Sequence, residues 1–283
     1  MSPDRVAPLA RGLDSCGPHF DLGVRTLTTL PRMAKILLVH GAFHELWGPN
    51  EIKTRWLPAL RDGLWHHGAD IGDRDVDAAF YGDLFRPDPE VDGIETAAAA
   101  RQAGADALAA QIPGGAEALP AIEEAMGKVM LARITYLAGT LATDPGIETA
   151  AISRVVDRLE PDTDVVVAHS LGTLVSFAAL RRNPDISLPL LVTLGSPLGA
   201  TFVQDRVADE VVDGLAPWPG GVERWVNVAA VGDMACVEPR LAKLWGPRVT
   251  DHLVDNGHRA HDVEPYLNAR ATGAAITAAL RRE

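Results

Sequence analysis

The chain has 283 residues, 47% hydrophobic and 23% charged, with two cysteines, a formal net charge of −12 and an isoelectric point near 5.2. This is the balance of an ordinary globular protein with one sizeable core, and its acidity argues against nucleic acid or an anionic lipid surface as partner. Cys16 and Cys236 make no disulfide framework, so a reducing compartment, the cytoplasm, is expected, and no apolar run reaches the ~18 residues of a membrane span.

Residues 1–32 mix Pro, Gly, Arg and Asp without a sustained period and lack the ordered regions of a signal peptide. They read as a loose extension, with Met33 the expected natural start. Ile36-Leu37-Leu38-Val39 is a continuous apolar run suited to a parallel strand buried on both faces, and it ends in His40-Gly41-Ala42-Phe43. Trp56, Leu57, Leu60 and Leu64 recur at helical spacing; Pro58 is expected in the first turn of that helix and Gly68 at its stop. Residues 76–84 read as a strand around Ala78-Ala79-Phe80-Tyr81.

From about 86 to 147 the alternation breaks. Pro113-Gly114-Gly115, Pro120 and Asp144-Pro145-Gly146 punctuate an alanine-rich stretch, and Ile122, Met126, Val129, Met130, Ile134 and Leu137 form a helical stripe. This predicts a helical cap inserted over a sheet, the stripe serving the packing of its helices, the lining of a substrate pocket, or both on different faces.

The alternation then resumes. Residues 149–159 predict an amphipathic helix, Val165-Val166-Val167 a strand, and 173–182 a helix closed by Asn183-Pro184. A strand over 190–194 closes at Gly195-Ser196-Pro197, 225–229 is the last clear strand, and an alanine-rich helix spans about 264–281. The fold class is therefore α/β: one domain over 33–283 with a mainly parallel sheet and helices on both faces.

The most informative residues lie between the strand at Val167 and the helix at Thr173: Ala168-His169-Ser170-Leu171-Gly172. Strand, tight turn and helix with a serine at the apex is the layout of a nucleophile elbow. A serine hydroxyl is a poor nucleophile until geometry and a nearby base activate it. The flanking positions must be small where strand and helix cross; Ala168 and Gly172 meet that need, although glycine is usual at both. Functional groups in open parallel sheets gather beyond the carboxyl ends of the strands. There the chain offers Ser170, then an acid in Gly232-Asp233, then a histidine in the 256–262 run, the parts of a hydrolytic triad. Asp205 and Glu238 compete with Asp233 as the acid, and His258 competes with His261 as the base. Ser196 has no small-x-Ser-x-small surroundings, and Asp83 reads equally as a site group or a strand-end cap.

These features resemble the α/β-hydrolase family, and among its members the lipase- and esterase-like ones, in the His40-Gly41 turn, the AHSLG elbow, the Gly195-Ser196-Pro197 strand end, Gly232-Asp233 and His261, in the family's order of nucleophile, acid, histidine. The resemblance implies that 36–39 is the family's third strand, the first two being missing or abbreviated. It implies Ser170 as nucleophile, His261 as general base and Asp233 as the acid that orients it. It further implies an oxyanion hole from the N–H of Leu171 and that of Ala42 or Phe43, with His40 shaping that turn. His169 beside the nucleophile is expected to pack. The implied activity is hydrolysis of a carboxylic ester, a small-molecule or lipid-like substrate with an apolar acyl or alkyl group. An acyltransferase using the same triad and a non-catalytic binding protein on the same fold are the alternatives. No G-x-G-x-x-G, P-loop lysine or H-E-x-x-H motif occurs, and the nine histidines lack partners at ligand spacing, so neither cofactor nor metal is expected.

Overall fold

The structure, a computed structural model, describes residues 35–86, 137, 139–141 and 143–281. The expected extension over 1–32 and nearly all of the expected cap lie outside these residues. Strands β1 (Lys35–Val39), β2 (Val76–Ala79), β3 (Thr163–His169), β4 (Ser187–Leu194), β5 (Gly221–Ala230) and β6 (Val249–Val254) form one all-parallel sheet in the order β2-β1-β3-β4-β5-β6. The helices are α1 (Pro49–Trp65), α2 (Pro145–Val156), α3 (Leu171–Arg182), α4 (Thr201–Val207), α5 (Ala242–Trp245), α6 (Val263–Asn268) and α7 (Arg270–Leu280).

The apolar runs explain the layering. Successive strand residues point to opposite faces, so a strand apolar throughout feeds two cores at once. Ile36, Leu38, Val165 and Val167 pack with Trp56 and Leu60 of α1, Tyr266 of α6 and Ile276 of α7. Leu37, Val39, Val166 and Ala168 pack on the other face with Ile152 of α2, Val175 of α3 and Val203 of α4. The strand order reverses between β1 and β3: β2 lies on one side of β1 and β3 on the other. That is the switch point at which the strand ends of an open α/β sheet leave a crevice. Val39 pairs with Ala168 there, so the turn after β1 and the turn after β3 emerge side by side.

Several expectations are corrected. Pro58 lies in the interior of α1, with Pro49 at its first turn. Its ring is exposed, and the carbonyl that it leaves without a helical donor is on the helix's solvent side. The strand over 76–84 ends at Ala79 and gives way to a 3-10 turn over Gly82–Phe85, because the Tyr81 N–H turns away from the sheet to a ring nitrogen of His40. A further strand, β6, follows the 225–229 strand. The terminal helix is two, broken at Ala269, whose backbone is extended (φ −60°, ψ 138°), with the Thr272 hydroxyl donating to the Tyr266 carbonyl across the break. Among the described residues no helix is long and apolar enough to cross a membrane.

Candidate active site

Ser170 is held in a conformation that L-residues rarely adopt, φ 53° and ψ −126°. A non-glycine residue there costs about 1–3 kcal/mol and persists only where its surroundings over-determine it. They do so here. The Ser170 N–H donates to the Leu194 carbonyl at 2.9 Å, and the Ser170 carbonyl accepts from the Thr173 hydroxyl at 2.7 Å. The Thr173 hydroxyl also meets Ser196 Oγ at 2.8 Å, which ties the first turn of α3 to the end of β4. Ser196 is therefore a structural pin. Small residues let the parts close: a Cβ on Gly172 would lie 2.4 Å from the His40 carbonyl oxygen, and one on Gly41 would lie 2.6 Å from Ser170 Cβ.

The turn after β1 is shaped by His40. Its Nε2 accepts the Tyr81 N–H at 3.1 Å, so the ring proton sits on Nδ1 and donates to the Gly41 carbonyl at 2.8 Å. The Tyr81 hydroxyl donates to the His40 carbonyl. Burial, and then the neighbouring His44, lower the His40 pKa to about 3, so the ring is neutral. Phe43, three residues on, has a positive φ of 70°. Ala42 and Phe43 are half-buried on this turn and follow Gly41, which abuts Ser170. Leu171 is the first residue of α3, so its N–H has no carbonyl partner within that helix.

The three residues singled out from the sequence meet in space. His261 Nε2 lies 2.9 Å from Ser170 Oγ, and His261 Nδ1 lies 2.9 Å from each carboxylate oxygen of Asp233. An ionised carboxylate only accepts, so Nδ1 carries a proton, and Nε2 is the ring nitrogen that faces the serine hydroxyl. Ser170 is 8% exposed and the His261 side chain 28%. Burial pushes the Asp233 pKa up, but hydrogen bonds from His261, Tyr266 and the Ala235 N–H outweigh it, and the carboxyl lies below its ordinary value. Asp233 is thus the anionic partner of the His261 Nδ1–H.

The chain matches no model of a known protein family and no curated protein.

The rivals sit elsewhere. His258 is exposed in a 3-10 turn, and Asp205 is exposed on α4. The Glu238 carboxylate accepts from Lys243 Nζ at 2.8 Å and the Arg240 N–H at 3.0 Å, while Asp83 pairs with Arg154 at 3.1 Å. His169 does more than pack. It is buried, and its Nε2 donates to the main-chain carbonyl of His261 at 2.9 Å, holding that residue's backbone. Burial and the nearby His261 depress its pKa well below the ordinary value. Tyr266, whose hydroxyl donates to Asp233 Oδ2 at 2.6 Å, escapes the sequence reading. It sits among the apolar residues of α6, and nothing in the sequence but its closeness to His261 marks it. Cys236 Sγ lies 3.6 Å from the same oxygen; burial and the Asp233 charge push its pKa up to about 12, so it remains a thiol.

Proposed function

We propose that the chain is a serine hydrolase that cleaves a carboxylic ester through an acyl-enzyme. The observation that carries this reading is the unbroken hydrogen-bonded series Asp233–His261–Ser170, with both links at 2.9 Å, ending on a serine in a strained turn at the switch point of a parallel sheet. A fold alone does not establish an activity; the arrangement of these three groups supplies the chemical argument. It agrees with the resemblance of the AHSLG turn, Asp233 and His261 to the α/β-hydrolase family.

In this mechanism the Ser170 proton passes to His261 Nε2 as Oγ bonds to the ester carbonyl carbon. Asp233 holds the Nδ1–H and stabilises the imidazolium. The tetrahedral oxyanion takes N–H donors from Leu171 and from Ala42 or Phe43, each worth about 3–4 kcal/mol to the transition state. The carbon–oxygen bond to the alcohol then breaks, and His261 returns its proton to the leaving oxygen. A water molecule next gives a proton to His261 and attacks the acyl carbon, and Ser170 departs with that proton.

An apolar acyl or alkyl group suits the surroundings. Leu174, one turn along α3 from Ser170, lines a neighbouring cavity of about 240 Å³ that is apolar at Leu141, Ile152, Leu198 and Val203 and charged at Glu148, Arg181, Arg182 and Glu210; Ser170, Asp233 and His261 do not line it, and its apolar end is the acyl site of this reading. The test is turnover of p-nitrophenyl butyrate. The wild-type chain should release nitrophenolate, and Ser170→Ala should slow it by about 10⁴–10⁶-fold. Equal rates for the two proteins would exclude the reading.

A further inference from the structure

We propose, on the hydrolase reading above, that Tyr266 is a positioning residue: its hydroxyl holds Asp233 Oδ2 and, by sharing that oxygen with His261, sets how strongly the imidazole attracts the Ser170 proton.

The geometry leaves the phenol one role. Tyr266 is fully buried, and its oxygen accepts the Ala230 N–H, at the end of β5, at 2.9 Å. With the acceptor side used by that N–H, the O–H points to Asp233 Oδ2 at 2.6 Å. Burial, then the nearby Cys236 and Asp233, raise the phenol pKa, so it stays a donor at every working pH. Room for this contact is made by Gly195, where a Cβ would lie 3.0 Å from Asp233 Oδ2 and 3.1 Å from the Tyr266 ring. If the ring only filled the core, phenylalanine would serve; the hydroxyl instead bridges the last residue of β5 to the carboxylate that faces His261.

A hydrogen bond to a carboxylate disperses its charge and makes it less basic. Without the phenol, Asp233 presents more charge to Nδ1 and stabilises the imidazolium more, so the base holds a proton to higher pH. Asp233 would keep its orientation, because Oδ1 still accepts the Ala235 N–H at 2.9 Å. The titratable groups facing Asp233 are His261 from the loop before α6, Tyr266 from α6 and Cys236 from its own loop. Those facing His261 are Asp233, Ser170 at the head of α3 and His169 at the end of β3.

The experiment is the rate of labelling by a fluorophosphonate probe across pH 5–9, which reports the reactivity of the serine without knowledge of the natural substrate. For Tyr266→Phe the midpoint of the acid limb should rise by about 0.5–1 pH unit. 3-Fluorotyrosine installed at position 266 keeps the ring's shape and donates more strongly, so it should move the midpoint down, and this arm decides if Tyr266→Phe fails to fold. Lower stability with an unmoved midpoint in either protein would mean that the hydroxyl serves only the fold, and would overturn the proposal while leaving the hydrolase reading intact. A wild-type chain that takes no label would overturn both.

Discussion

Gly41 and Ser170 stand so close that a methyl group on the glycine would lie 2.6 Å from the serine Cβ. The turn after β1 therefore buttresses the strained serine directly, and the two turns act as one unit at the sheet's switch point. Gly41→Ala should force them apart. It should cost about 1–3 kcal/mol of stability by overpacking and slow serine labelling by up to about 10²-fold through misplacement of the hydroxyl. Urea unfolding and fluorophosphonate labelling check the two effects separately.

Asp233→Asn tests the orientation of His261. An amide in place of the carboxylate can donate to Nδ1, which stabilises the wrong tautomer and turns the proton toward Ser170. Turnover of p-nitrophenyl butyrate at pH 7 should fall by about 10⁴-fold. Circular dichroism should show the fold retained; a folded variant with turnover within a few-fold of wild type would contradict the role of Asp233.

Stability should fall on mild acidification. His40, His44 and His169 all have pKa values depressed first of all by burial, that of His40 from 6.5 to about 3. Below pH 6.5 the unfolded chain binds protons at these positions that the folded chain refuses, so the stability present above that pH is lost as pH falls through the window between the two values. Each such histidine contributes a slope of about 1.4 kcal/mol per pH unit within its window. Urea unfolding at pH 7, 6 and 5 should show a progressive loss; a flat profile would contradict the neutral buried state of these rings.

Leu174 is half-buried where it lines the cavity beside α3. Leu174→Phe should narrow that space. The ratio of p-nitrophenyl octanoate to p-nitrophenyl acetate turnover should drop about 10-fold, the scale of a misfit of one or two methylenes in an apolar pocket. An unchanged ratio would separate the cavity from the acyl site.

Much of this was legible in the sequence because it rests on short-range rules. Continuous apolar runs such as Ile36 to Val39 mark strands buried on both faces, and a small-x-Ser-x-small string between a strand and a helix marks a sharp turn. What escaped depends on tertiary contacts. The alternation of β6 is masked by Asp251, whose carboxylate accepts from Asn227 Nδ2 and from the N–H groups of Leu241 and Ala242, so a polar residue sits where a strand reader expects an apolar one. Pro58 is tolerated inside α1 because its ring lies on the surface, a placement that residue order alone does not show. His169 and Tyr266 were invisible as partners of the site because their hydrogen bonds to His261 and Asp233 span 92 and 33 residues of chain.

The most direct test is intact-mass and peptide analysis after exposure to a fluorophosphonate. The account predicts a single adduct per chain, located on the peptide carrying Ser170 and abolished in Ser170→Ala. No adduct on the wild-type chain, or one that persists in that variant, would contradict it.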